Sequence, residues 1–171
     1  AMAEDFSTLM LNIKSDESLL SVFVPGVSVA PDSSLRMEFA PSVDELQMQV
    51  DCGYFEMNDL FASEVMIDGT AVGNRVELRA EAEQLLALGA NFPQFVASAD
   101  CTGGEKIGAA VSFDNSENKI SAHLEVNGSV GRDAEGAVMA EASVDDSWLR
   151  LHDQLWEVGA QRLYYVKDYA V

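Results

Sequence analysis

Basic residues are scarce in this chain: ten Lys and Arg stand against 29 Asp and Glu in 171 residues, a formal net charge of -19. A phosphate backbone would be repelled at nearly every approach, so nucleic acid is a poor partner, and direct docking on an anionic bilayer surface is disfavoured for the same reason. Cysteine is scarcer still. Cys52 and Cys101 are too few for a disulfide-stapled scaffold and lack the paired spacing of a zinc site. Each continues the apolar phase of a strand-like run and reads as a small buried thiol. Long hydrophobic runs are missing: nothing approaches the roughly 20 apolar residues of a membrane-spanning helix, and no secretion signal stands at the start. Aromatics make up 8% of the chain and fall mostly in phase with the apolar positions, so Trp148 and Trp156 are expected to anchor a core and not to form a stacking platform.

Catalytic and ligating patterns are missing too. His123 and His152 are the only histidines, with no cysteine, histidine or aspartate at ligand spacing. There is no Gly-x-Ser-x-Gly turn, and Thr102-Gly103-Gly104-Glu105 is a hairpin tip without the lysine or helix of a phosphate loop. Asp114-Asn115-Ser116-Glu117-Asn118 lacks the glycine and closing glutamate of a calcium loop. The carboxylates of Asp145-Asp146 and Asp133/Glu135 sit on solvated phases, without an environment that would set two of them against each other as acid and base. No enzyme activity, metal or cofactor is implied.

What is present is alternation with period two. In Arg75-Val76-Glu77-Leu78-Arg79-Ala80-Glu81-Ala82 and Ser121-Ala122-His123-Leu124-Glu125-Val126-Asn127 every second residue is apolar, the signature of half-buried strands. The pattern recurs at Leu35/Met37/Phe39, Leu46/Met48/Val50, Val65/Ile67, Ile107/Ala109/Val111/Phe113, Val138/Ala140/Ala142/Val144 and Leu149/Leu151. Short clusters punctuate the runs: Asp68-Gly69-Thr70, Val72-Gly73-Asn74, Thr102-Gly103-Gly104, Asp114 to Asn118, and Gly131 to Gly136. Such turns join antiparallel neighbours and exclude helical crossovers, which predicts an all-β meander of sequential hairpins. A short helix or irregular plug is expected over 16–26, where Ser15 or Asp16 offers a cap and Pro25-Gly26 a stop. Glu81 to Gly89 has helical propensity, yet the alternation entering it favours a strand or bulged strand.

The two phases of these strands differ in chemistry. One carries Arg36, Glu38, Gln47, Gln49, Glu77, Arg79, His123 and Glu125; the other is aliphatic or methionine. Two readings produce this pattern: a closed sandwich of two sheets, serving as a structural or adhesive module, and an open curled sheet holding a lipid-like guest. Edge strands left unsealed in the second reading would allow self-association.

The whole chain resembles the C-terminal region of TamB-type translocation and assembly modules, relatives of the AsmA-like proteins, in particular their Bacteroidota branch. Leu19-Leu20-Ser21-Val22-Phe23-Val24-Pro25-Gly26 with the strand to Leu35 is similar to the family's apolar stretch, proline-glycine and following strand. Leu46 to Asp51 and Arg75 to Ala80 resemble its repeated hairpins, and Ser147-Trp148-Leu149-Arg150-Leu151-His152-Asp153-Gln154-Leu155-Trp156-Glu157-Val158 resembles its strand, turn and tryptophan-containing strand. The resemblance implies a half-pipe, or β-taco, cut from a periplasmic bridging protein whose N-terminal helix anchors it in the inner membrane and lies outside this chain. Ala1-Met2-Ala3, which reads as a cloning remnant, fits such an excised single segment spanning 1–171. It implies phospholipid passage between inner and outer membrane, with an outer-membrane barrel partner in some lineages. The residues expected to line the groove against acyl chains are Leu46, Met48, Val50, Val76, Leu78, Ile107, Val111, Phe113, Ile120, Leu124, Val126 and Val138.

Overall fold

The computed structural model describes residues 6–14, 26–132 and 138–166. The strands are β1 (Ser7–Asn12), β2 (Val27–Val29), β3 (Ser34–Ala40), β4 (Glu45–Met57), β5 (Leu60–Val72), β6 (Arg75–Ala87), β7 (Ala90–Thr102), β8 (Lys106–Asn115), β9 (Ile120–Arg132), β10 (Val138–Leu151), β11 (Gln154–Val158) and β12 (Gln161–Val166). All belong to one antiparallel sheet, with the order β1-β3-β4-β5-β6-β7-β8-β9-β10-β11; β2 adds to the far part of β4, and β12 to the first half of β10. The meander expected from the short turns is therefore present, as an open curled sheet with two rims. Among the described residues the only helical element is a single 3-10 turn, Pro41–Val43. The helix expected over 16–26 falls, up to Val24 and Pro25, outside the described residues.

One expectation about turns needs correction. Asp68-Gly69-Thr70 does not turn the chain but lies inside β5. A Cβ on Gly69 would stand 3.3 Å from Leu78 Cδ1 and 3.3 Å from Met48 Cε, so the glycine lets those two side chains close over the strand between them. The turns on either side are Asn58-Asp59 and Gly73-Asn74. The Glu81 to Gly89 segment is strand as far as Ala87, then turns at Leu88 (φ 54) and Gly89 (φ 75).

The sheet is a single layer. Among the described residues substantial packing joins ladder neighbours only, and no side chain is fully buried. The surface area, 12269 Å², exceeds the roughly 8,200 Å² of a compact monomer of 18.5 kDa by about half. Among the described residues there is no second sheet against the first, so the sandwich reading has no facing layer there.

What burial exists is concentrated along one transverse line. Regular pairing lapses between Cys52↔Val65 and Tyr54↔Ser63, and again between Ala82↔Phe95 and Gln84↔Pro93. Along this line Glu64 (φ 48) in β5 and Gln94 (φ 50) in β7 adopt the left-handed conformation, which breaks the pleat of those strands, and Asp32 (φ 66) does so in the turn before β3. Beside it sit Val29, Ala30, Ser33, Cys52, Ala62 and Ala82, each 7% exposed or less. The Ser33 hydroxyl donates to the Ala30 carbonyl (2.6 Å), the Cys52 thiol donates to the Tyr54 carbonyl (2.7 Å), and the Ala30 amide donates to the same carbonyl (2.9 Å). This crease is the packed part of the molecule.

Candidate functional site

In an antiparallel pair, residues directly opposite each other share a face, so the register defines which side chains form one surface. One row runs Leu11–Leu35–Val50–Ile67–Ala80–Ala97–Val111–Leu124, and the next runs Leu9–Met37–Met48–Gly69–Leu78–Ala99–Ala109–Val126–Val144. A third runs Phe39–Leu46–Ala71–Val76–Cys101–Ile107–Gly128–Ala142. None of the three contains a charge. At about 4.8 Å per strand the second row, crossing nine strands, is roughly 38 Å wide.

All twelve expected lining residues lie on this face. Leu46, Met48, Val50, Val76, Leu78, Ile107, Val111, Leu124 and Val126 stand in the three rows; Phe113 pairs with Ala122, Ile120 with Leu151, and Val138 with Arg132. Met48, Val50, Leu46, Phe113, Ile120, Val126 and Val138 are half-buried, whereas Val76, Leu78, Ile107, Val111 and Leu124 are 39–49% exposed. They face an open trough and not a closed core. Hollows such as the one of about 740 Å³ between β10 and β11, lined by Asp145, Trp148, Arg150 and Glu157, belong to the polar side or the rim.

The sequence reading missed two parts of the surface. Leu9, Leu11, Leu35, Met37 and Phe39 extend the trough to the β1 rim. Beyond the crease a second apolar strip, Val29–Phe55–Ala62–Leu85–Phe92, occupies what strict alternation would make the polar phase. The left-handed Glu64 and Gln94 stand where the phase reverses in β5 and β7, and β4 and β6 reverse it opposite them. Phe92, beyond the crease, meets Phe113 of the trough edge-on at 5.0 Å between ring centroids, so both strips lie on one side of the sheet. A signal for this was present: two residues, not one, separate the apolar positions in Cys52-Gly53-Tyr54-Phe55, Ala62-Ser63-Glu64-Val65, Ala82-Glu83-Gln84-Leu85 and Phe92-Pro93-Gln94-Phe95.

The tryptophans are not core anchors, contrary to expectation. Trp156 pairs with Leu149 on the apolar face at the rim and is 58% exposed. Trp148 lies opposite His123 on the polar face, with the Arg150 guanidinium 5.8 Å from its ring. A bulge between Asp145 and Trp148 produces this shift; Asp146 takes φ 41, and the buried Ser147 fills the bulge, accepting from the Glu125 amide and donating to the Asp145 carbonyl, both at 2.8 Å.

The opposite face is polar. Ion pairs Arg36–Glu38, Arg75–Glu77 and Arg79–Glu81 run along single strands, leaving most carboxylates unmatched by a base. Asp145 is held below the ordinary carboxylate range by the Ser143 hydroxyl (2.8 Å) and the Asn127 amide (3.2 Å), with Arg162 adding attraction. Among the described residues no group of three His, Cys, Asp or Glu is placed to hold a metal, and both cysteines are free thiols, Cys52 buried and Cys101 half-buried. No helix in the described residues is long and apolar enough to cross a membrane. No protein-family model, curated protein or solved structure matches this chain.

Proposed function

We propose that this chain is a non-catalytic conduit segment of a periplasmic, inner-membrane-anchored envelope protein, and that its trough shelters phospholipid acyl chains on their way between inner and outer membranes. The observation that carries this reading is the uncharged surface crossing nine strands with large aliphatic side chains open to solvent and, among the described residues, no second layer against it. Ordinary soluble monomers expose apolar patches of only a few hundred Å², so a surface of this breadth calls for an occupant. Acyl chains suit it chemically. Each methylene moved from water to an apolar wall gains about 0.8 kcal/mol without any directional contact, and the three rows carry no charged side chain.

The dimensions and charge agree with that occupant. Strands of 13 residues are about 43 Å long, more than the roughly 30 Å of a bilayer's hydrocarbon. A guest laid in the trough keeps its head group at the open mouth, in water. The acidic outer face repels anionic head groups and disfavours binding on that side.

Native purification followed by lipid extraction and mass spectrometry tests the reading, together with capture of a photo-crosslinkable phospholipid. Capture is expected in the unaltered chain and is expected to fall in Leu124→Asp, Val111→Asp and Val126→Asp while the strand-type circular dichroism persists. Capture that is unchanged in folded variants, or absent from the unaltered chain, would remove the conduit reading.

A further inference from the structure

One tryptophan stands against the phase of its strand. Unbroken alternation from Val144 would set Trp148 on the apolar face; the bulge after Asp145 turns it onto the polar one, half-buried between His123 and Glu157. Bulges re-aim side chains in this way and gather beside functional sites. The polar face there carries two adjacent rows, Ser112–His123–Trp148–Glu157 and Asp114–Ser121–Arg150–Leu155. The Arg150 guanidinium lies 5.8 Å from the centre of the Trp148 ring, and the His123 ring 6.4 Å from it. Arg150 borders both the hollow between β10 and β11 and a second one of about 530 Å³, whose lining includes Asp114, Ser121, Lys119 and Asp153.

Ser121 points independently to a ligand. It is only 6% exposed, it borders the second hollow, and its hydroxyl has no hydrogen-bond partner among the described residues. Buried hydroxyls are nearly always paired, so one that opens on a hollow is placed for a bound molecule to complete its bonding. Other buried serines have internal partners: Ser33 donates to the Ala30 carbonyl, and Ser147 donates to the Asp145 carbonyl.

We propose that this patch binds carbohydrate, taking one neutral pyranose ring with its C–H face against Trp148 and its hydroxyls toward Ser121, Arg150, Asp114 and Glu157. A sugar ring has an apolar face and an edge of hydroxyls that both donate and accept. The patch answers with an indole surface, donors in Arg150 and Ser121, and acceptors in Asp114 and Glu157. Trp148 and Ser121 are diagonal neighbours, about 7–8 Å apart along the sheet, a span that one sugar ring bridges. An anion is disfavoured by the carboxylates around the site and by the net charge of -19. An organic cation is disfavoured because Arg150 already stands by the indole it would need. The site lies on the face opposite the trough, so it does not depend on the lipid reading.

Fluorescence titration of Trp156→Phe, a change at the exposed rim that leaves Trp148 as the sole indole, tests the proposal. The probes are the methyl glycosides of glucose, galactose, mannose and N-acetylglucosamine, each to about 10 mM, which fills about nine-tenths of a site with a Kd of about 1 mM. At least one is expected to change the Trp148 emission saturably. Ser121→Ala then separates a binding site from a scaffold. Removing a buried hydroxyl without a partner should leave the urea midpoint unchanged or raised, while affinity for the responding glycoside falls by about tenfold. Calorimetry on Trp148→Ala, with its strand-type circular dichroism retained, should show no binding. Silence toward all four glycosides, a response to inorganic phosphate in their place, or unchanged affinity in folded Ser121→Ala would overturn the proposal. So would a lowered urea midpoint in Ser121→Ala, since that outcome gives the hydroxyl a structural role.

Discussion

The crease and the trough lie on the same side of the same sheet, yet they use apolar residues in opposite ways. At the crease the side chains are small and shut away: Ala30, Ala62, Ala82 and Cys52 are all 7% exposed or less. In the trough they are large and open, with Val76, Leu78, Ile107 and Leu124 above 40%. A bend brings neighbouring strand segments together on its concave side, and small side chains are what fit there at native packing density. No described element lies above the trough, and its leucines and valines are half in water. Cohesion within the chain is therefore concentrated at the crease, and affinity for a guest in the trough. Apolar content alone distinguishes neither, because burial and not composition decides which role a residue plays.

The comparison can be broken by placing the same charge in each region. Ala82→Asp puts a carboxylate beside Phe95 without a partner and is expected to cost several kcal/mol, seen as a large fall in the urea midpoint. A backbone change at the crease should come next. Gln94→Val sets a β-branched residue at φ 50, where the Cβ penalty is already present, so the added crowding is expected to cost about 1 kcal/mol. Leu124→Asp, with its carboxylate hydrated in the open trough, should cost at most about 1 kcal/mol while lowering lipid capture. A collapse of the fold at Leu124 as severe as at Ala82 would erase the distinction between the regions.

Smaller effects sharpen it. Glu64→Gly relieves a left-handed non-glycine residue, worth about 1–2 kcal/mol, against about 0.5–1 kcal/mol for glycine in a strand, so a net gain of a few tenths is expected in thermal or urea unfolding. His123→Asp, on the polar face directly before Leu124 in β9, should change stability by less than about 0.5 kcal/mol and leave lipid capture unaltered.

The strands themselves were legible wherever one phase held. Val76-Leu78-Ala80-Ala82 and Leu124-Val126 alternate without interruption, and their register places them on one face as the alternation requires. Beyond the crease no lining residue was named, although a bulged strand was allowed from Glu81 onward, where β6 changes phase at Glu83-Gln84. It also misjudged Gly69, a turn signal in sequence that is a clearance for Met48 and Leu78 in the sheet. Trp148 was placed by a bulge after Asp145, which the change of apolar phase between Val144 and Leu149 signals in the sequence.

By itself the sequence determined that this chain is a meander of antiparallel strands with one apolar and one acidic side, because side-chain period and turn length are local properties of the backbone. It also determined the sign of the surface, through the excess of Asp and Glu. Whether the apolar side would be covered was decided only in three dimensions. The same alternation lines a sandwich or an open trough, and the choice depends on whether distant strands meet face to face, which no short window of sequence records. The crease was likewise a tertiary outcome: left-handed residues in β5 and β7 fall on one transverse line through the register of four strands, where they bend the sheet together.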